Sequence, residues 1–539
     1  MHKIALTSLA LFLAVPFIAQ SESKEPENWY LLHPKKDKTY GTGIEKAYQL
    51  LEDRTPKKVV VAVIDSGVDV EHEDLKNVLW TNKDEIPGNG IDDDKNGYID
   101  DVHGWNFLGG KDGDINECAL ELVRLYQRLS PKYMGKSAED FSSEADKKEF
   151  EYWLTIESDY NAEYQALESQ IQVYNTLAGM LENIKEQHGS LSKENLAKYE
   201  SEDEQEMMFK ERLLANVGSD EDMVELEAGI AGAKEHFEGQ TKGYKMNDDS
   251  LRIAVVGDDP LNVSEQFYGN NNYEGPDALH GTHVAGIIAA DRTNNIGVIG
   301  EANNVEIMVL RAVPNGDERD KDIANAIRYA VDNGATVVNM SFGKYYSPNK
   351  KVVDEAVKYA ESKDVLLIHA AGNDHKNKEV ETNYPNRYYL DGGVAQNWID
   401  VGASSYKKGL TLPATFSNYG PTQVDLFAPG VAMYNTVPDD KYRSLQGTSM
   451  ACPSVAGVAA VIRGYFPDLT APEIKKVLIE TCTPYKKDVM QPGYGYAKNS
   501  KGVMIPDGEM VKMTDLCVSG GFINAHCAVK QLLKEEKKK

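Results

Sequence analysis

The chain has 539 residues, 41% of them hydrophobic, enough for a large core and more than one substructure. Its 85 acidic and 58 basic side chains give a formal net charge of −27. That charge excludes the attraction that nucleic acid and anionic membrane surfaces require, and it suits the binding of cations. Five cysteines (Cys118, Cys452, Cys482, Cys517 and Cys527) are too sparse for a disulfide scaffold, and no CxxC pair points to zinc.

Residues 1–20 read as a signal peptide. His2 and Lys3 precede an apolar run from Ile4 to Ile18, with Ala19 as a cleavage edge. The run falls short of a spanning length, and no later stretch is long and apolar enough to cross a membrane. The mature chain is therefore expected to be exported, periplasmic or extracellular, with no membrane anchor after signal removal. In such a compartment Cys482 has Cys517 or Cys527 as an alternative disulfide partner. Trp29, Tyr30, Leu31 and the amphipathic run Ile44–Leu51 are expected to form a surface segment leading into the core.

Val59 to Ile64 is a continuous apolar, β-branched run and predicts a strand buried on both faces, as in a parallel sheet covered by helices. It ends at Asp65-Ser66-Gly67. An acid at the carboxyl end of such a strand lies where open α/β sheets place their sites; a turn aspartate before glycine is the alternative. Residues 92–101 read DDDKNGYIDD. Asp92, Asp94 and Asn96 alternate, Gly97 supplies the turn, Tyr98 takes the seventh place and Asp100 the ninth, which matches the first nine positions of a calcium loop. His103 stands at the twelfth place instead of Glu, so the EF-hand pattern is incomplete. Carboxylates this dense repel one another without a cation, so calcium is expected here.

Residues 117–245 change character, rich in Glu, Lys, Gln, Leu and Tyr. Trp153, Ile156, Tyr160, Tyr164, Leu167, Ile171, Tyr174, Ala178 and Leu181 recur mostly at steps of three and four, the seam of a long helix. Gly189 stops it, Ser190 or Ser192 caps the next, and further helices are expected near 204–216 and 221–237. This is a helical insertion, a hairpin or small bundle.

The α/β pattern is expected to resume at Leu251–Val256. Residues 277–290, DALHGTHVAGIIAA, place His280 and His283 one turn apart at the start of a buried helix, and either is a candidate base by type. Strand-like and helix-like runs then alternate: 305–311, 322–333, 336–341, 352–362 and 365–371. This order implies a parallel sheet wound with helices. Asn373 follows the last of these strands and carries an amide able to donate. Thr470-Ala471-Pro472-Glu473 is a capping box with Pro in the first turn. A final helix, 525–533, runs into a charged tail at 531–539. In 445–457, LQGTSMACPSVAG, Ser449 stands at the head of a buried helix, where backbone N–H groups can hold a developing oxyanion; a simple helix cap is the alternative. Cys452 is expected to pack inside as a small apolar residue.

Asp65, His280 and Ser449, in that order, supply the acid, imidazole and hydroxyl of nucleophilic acyl transfer. No Gly-x-Ser-x-Gly surrounds Ser449, which argues against an α/β-hydrolase esterase. The segments VAVIDSGVD, HGTHVAG, NMSFG, AAGN and GTSMACPSVAG together resemble the signature segments of the subtilisin-like serine proteases, the subtilases. The resemblance covers about 30–116 and 250–530. It implies an α/β fold with three layers, a mostly parallel central sheet with helices on both faces, and a discontinuous catalytic domain (21–116 and 246–530). It makes Asp65 the triad acid, His280 the base, Ser449 the nucleophile and Asn373 the oxyanion donor. It makes Ser341, Phe342 and Gly343 a backbone edge that pairs with an extended protein or peptide substrate. It also marks Asp74 and Asn294 as structural calcium positions. Two departures stand out. Residues 21 to about 57 are too few for the usual folded pro-domain, and the insertion separates the triad acid from the base. The insertion is expected to limit which substrates reach Ser449 or to dock a partner, which deleting 117–245 would test. A catalytically silent binding protein and a helical scaffold with an incidental enzyme core are the alternatives from other classes.

Overall fold

The computed structural model describes residues 26–406, 408–498 and 504–538. The expected signal peptide lies outside them. By contact the chain forms two compact units: Leu122–Met246, and Glu25–Glu121 together with Asn247–Lys539.

The larger unit is built on a sheet whose strands are β1 (Val59–Asp65), β2 (Gly104–Asn106), β3 (Val305–Arg311), β4 (Val337–Met340), β5 (Leu366–Ala370), β6 (Trp398–Ser404) and β7 (Leu426–Pro429). A separate hairpin, β8 (Met433–Val437) and β9 (Lys441–Leu445), follows, and β10 (Thr483–Pro484) and β11 (Gly521–Phe522) complete the main sheet. The order across the nine strands is β10-β11-β7-β6-β5-β4-β1-β3-β2. Every pairing is parallel except β10 with β11.

Side chains alternate across this sheet because successive residues of a strand face opposite sides. Val59, Val61 and Val63 of β1 join one buried cluster, and Ala62 and Ile64 join the other. The helices are α1 (Ile44–Leu51), α2 (Asp248–Val255), α3 (Leu279–Ala289), α4 (Asp320–Asp332), α5 (Lys350–Ser362), α6 (Thr448–Tyr465), α7 (Ala471–Glu480) and α8 (Ala525–Glu536). α3, α6, α7 and α8 contribute to the first cluster, and α4 and α5 to the second. The result is the expected three-layer α/β architecture. α7 carries its expected box: Glu473 Oε2 accepts from the Thr470 N–H and the Thr470 hydroxyl, both at 2.8 Å.

Residues 248–255 form a helix: Asn247 Oδ1 accepts from Ser250 N at its start. Arg252 is buried against Asp258 and Asp322, which locks the helix into the core. Trp29, Tyr30 and Leu31 are core residues, not surface: the Tyr30 hydroxyl donates to Ile299 O (2.8 Å) and Trp29 Nε1 to Ala432 O (3.1 Å). Cys482, Cys517 and Cys527 are thiols rather than disulfide partners, with Cys482 Sγ on Leu478 O and Cys517 Sγ on Met513 O. Cys452 is fully buried.

The unit Leu122–Met246 is helical. The 45-residue helix Glu144–His188 is capped by Ser143, whose side chain accepts from Asp146 N, and ends on left-handed Gly189. Ser192 caps the helix Lys193–Lys198. Leu177, Met180, Leu181 and Ile184 of the long helix pack with Phe209, Leu213, Met223 and Leu226 from the helices Glu204–Asn216 and Asp220–Lys245. This is a core of its own. Residues 117–121 group with the larger unit, where the Glu121 carboxylate pairs with Lys344 at 3.0 Å.

Candidate active site

Asp65 is the last residue of β1, and its carboxylate is 2% exposed. One oxygen, Oδ1, accepts from Ser66 N (2.8 Å) and lies 2.7 Å from His280 Nδ1. His280 sits in the first turn of α3 and is 37% exposed, so its far edge faces solvent while its near edge is held. Burial pulls the imidazole pKa down, and the Asp65 charge and hydrogen bond more than offset this, leaving it above the ordinary histidine value.

α3 can reach β1 only because it carries glycine at the contact. A Cβ at Gly281 would lie 2.0 Å from Gly67 O and 3.2 Å from Asp65 Cβ. Behind the acid, the Arg311 guanidinium at the end of β3 donates to Ser66 O (2.9 Å), Asn106 Oδ1 and Ile115 O, pinning the turn after Asp65. Burial pulls Arg311 down to about 10. Sequence reasoning missed this residue; its signal was a charge at the carboxyl end of a buried strand.

His283 has a different role. It is fully buried, its Nε2 lies 2.9 Å from Met433 O and 3.0 Å from Arg443 O, and burial lowers its pKa to about 4. It ties α3 to the β8–β9 hairpin and leaves His280 as the candidate base.

Ser449 is the second residue of α6, in the turn whose N–H groups lack intrahelical acceptors. Asn373 Oδ1 accepts from Thr448 N (2.8 Å) and the Thr448 hydroxyl (2.9 Å). A backbone N–H can only donate, so this contact fixes the amide and turns Nδ2 away from Thr448 as a free-standing donor beside the helix start. Thr448 also accepts from Gly372 N at 3.1 Å. Its locking role was not read from the sequence, although it lies inside the Gly-Thr-Ser stretch.

The Ser449 hydroxyl donates to Ser341 O at 3.1 Å, and the Ser341 hydroxyl donates to Ser449 O at 2.9 Å. The serine thus rests against the 341–343 edge, while Asp65 and His280 are already paired. A pocket of about 260 Å³ opens beside Ser449 between Ser341–Tyr345 and Ala370–Asp374.

Of the cation candidates, Asp92 and Asp94 converge, joined by Glu85, which the sequence reading missed: one oxygen from each lies within 4.8 Å of the others. Asp100 is turned elsewhere and accepts from Asn89 N and Gly90 N (3.1 and 2.9 Å). Asn96 bonds to Asp94 and Asp101, and the Tyr98 ring is buried against Trp105 and Tyr329. Asp74 and Asn294 do meet, with the amide 2.5 Å from the Asp74 carboxylate. Asp74 is fully buried and, among the described residues, receives neutral donors only, from Asn294, Val298 N and Tyr442.

A parallel sheet that delivers a buried acid to an imidazole, with a serine and an anchored amide at the head of a buried helix, is an arrangement suited to nucleophilic-serine chemistry on an α/β fold. The chain belongs to the subtilase family, whose model matches residues 56–497. It is similar to the thermophilic serine proteinase of Bacillus sp. (strain AK1), 42% identical over 195 residues, which is 36% of this chain and 45% of that protein. The thermostable alkaline protease of Halalkalibacterium halodurans is 34% identical over 232 residues, 43% of this chain and 58% of that one. Subtilisin DY of Bacillus licheniformis is 35% identical over 252 residues, 45% of this chain and 87% of that one. The chain thus spans about half the length of the first two relatives and most of the third.

Proposed function

We propose that this chain is an exported, calcium-stabilised serine endopeptidase acting on protein or peptide substrates. The observation that carries the reading is that two groups are fixed in advance. Asp65 holds His280 by Nδ1, and Thr448 holds Asn373 with its amide nitrogen free to donate. Preorganised donors of this kind cost no reorganisation when charge develops.

Ser449 Oγ attacks the substrate carbonyl carbon while its proton passes to His280 Nε2. Asp65 keeps the tautomer and stabilises the imidazolium. The oxyanion receives Asn373 Nδ2 and the first-turn N–H groups of α6. His280 then returns the proton to the leaving amine, and water repeats the sequence on the acyl-enzyme to release the acid. The hydroxyl reaches this geometry by leaving Ser341 O through a rotation about χ1 between staggered wells. The freed 341–343 backbone then pairs with an extended substrate, main chain to main chain.

Glu85, Asp92 and Asp94 form one candidate calcium set, and Asp74 and Asn294 belong to a second. Bound calcium supplies positive charge to carboxylates that, among the described residues, have no cationic side chain paired with them. Export rests on the apolar run after Lys3, and among the described residues no helix is long and apolar enough to cross a membrane.

The test is a fluorophosphonate reaction on the purified protein beside Ser449→Ala, each with calcium and with a chelator. Stoichiometric labelling of the wild type alone is expected. No labelling of wild type with calcium present, or equal labelling of Ser449→Ala, would overturn the reading.

A further inference from the structure

Lys344 directly follows the 341–343 edge and is held at both its backbone and its side chain. Its backbone forms an antiparallel bridge with Tyr384: Lys344 N donates to Tyr384 O at 2.9 Å, and Tyr384 N to Lys344 O at 2.7 Å. Its buried ammonium donates to the Glu121 carboxylate (3.0 Å) and to Glu318 O (2.7 Å) and pairs with Asp320 (2.9 Å). Asp320 is itself fixed by the Ser347 hydroxyl (2.9 Å) and Asn349 N (2.8 Å). Gly343 has no side chain to anchor it, so the end of the edge takes its position from Lys344.

Glu121 stands where the chain leaves the larger unit for the helical insertion, as the first residue of the helix Glu121–Tyr133. Its N–H donates to Asp317 Oδ2 at 2.7 Å. The returning chain is tied to the same place: Asp248 pairs with Arg319 and accepts from Ala119 N at 3.4 Å. Both ends of the insertion are thus fastened to residues 317–320 within the larger unit. One fastening, Glu121 to Lys344, also bears on the residue beside the substrate edge. These two residues are 223 positions apart. A buried ion pair adds little stability over apolar side chains of the same size, so one placed here points to geometry.

Resting on the endopeptidase reading above, we propose that Glu121 is a positioning residue. Through Lys344 it holds the 341–343 edge where an extended substrate pairs with it, so the root of the insertion sets substrate affinity without touching substrate. Removing the Glu121 carboxylate leaves Asp320 and Glu318 O on the ammonium, so the buried charge stays compensated while the edge loses one of its ties.

The experiment compares the full chain with Glu121→Met and Glu121→Gln on two substrates. One is a peptide amide with several residues on the acyl side, which pairs with the edge; the other is a single-residue ester, which does not. Phosphonate labelling counts active sites, and denaturant unfolding checks the fold. In Glu121→Met, KM for the peptide is expected to rise about tenfold, with kcat and the ester's kcat/KM unchanged within about twofold. Glu121→Gln keeps a neutral acceptor of the same length and is expected to show a smaller rise, about threefold, again on the peptide alone. An unchanged peptide KM in folded Glu121→Met would overturn the proposal. So would equal losses on peptide and ester, which would make the pair a general support of the fold. Should Glu121→Met fail to fold, Glu121→Gln decides on the same criteria. Failure of the parent to label or to cleave either substrate would instead strike the endopeptidase reading.

Discussion

Asp65 acts on His280 through charge as well as position, and the two effects can be separated by pH. Burial disfavours the imidazolium, but the adjacent carboxylate outweighs it, so the ring keeps its proton to a pH above its ordinary value. A general base works only when neutral, so kcat/KM is expected to rise as pH climbs through that raised pKa. Asp65→Asn removes the charge and leaves the burial. The acid limb then moves to lower pH while kcat falls by about 10⁴. A pH–rate profile whose limb stays in place in Asp65→Asn would contradict this account. The sign for stability runs the other way. The charged pair contributes fully below the unfolded histidine value of about 6.5 and is lost as pH rises through the folded one. At this scale the Asp65–His280 pair was legible in the sequence, because the acid ends a strand and the imidazole opens a helix. Arg311 was not: an Arg in a strand looks ordinary until burial and partners are known.

The triad is delivered by elements that approach closely. α3 lies against the turn after β1 with Gly281 at the contact, where a Cβ would meet Gly67 O at 2.0 Å. Gly281→Ala is therefore expected to push the helix, and His280 with it, away from Asp65. Overpacking of this kind costs about 1–3 kcal/mol. Denaturant unfolding and kcat, measured together, should both fall; retention of full activity would show that the helix seats without the glycine. The element pattern itself was largely readable. The run Val59–Ile64 became β1, and the alternation after residue 305 became β3 to β5 with α4 and α5, because apolar β-branched runs and amphipathic periods have few other outcomes. By residue type alone Arg252 looks solvent-facing. It is instead a buried ion paired with Asp258 and Asp322, which only tertiary partners make tolerable.

For the molecule as a whole, the excess of acid concentrates meaning in a few places. With Glu85, Asp92 and Asp94 converging and Asp74 buried among neutral donors, calcium is expected to bind the native state and raise its stability by mass action. In Ser449→Ala protein, where self-digestion cannot intervene, chelation should lower the melting temperature by about 5 °C or more, and added calcium should restore it. Asp92→Asn combined with Asp94→Asn should remove part of that response. A melting temperature indifferent to calcium in the parent would remove calcium from the description. The segment before β1 also belongs to this scale. Trp29, Tyr30 and Leu31 are core residues of the larger unit, and the Tyr48 hydroxyl of α1 reaches Glu301 O at 2.8 Å.

The sequence by itself determined the fold class, the chain order of acid, base and nucleophile, and the existence of a helical insertion. These follow from local periodicity and from residue types at element ends, which are properties of short stretches. Only the tertiary structure decided which histidine is held by Asp65 and which by the backbone of the β8–β9 hairpin. It alone brought Glu85 to Asp92 and Asp94, and turned Asp100 away from them. Each of these depends on groups far apart in the chain meeting at hydrogen-bond distance, and no local pattern encodes such meetings.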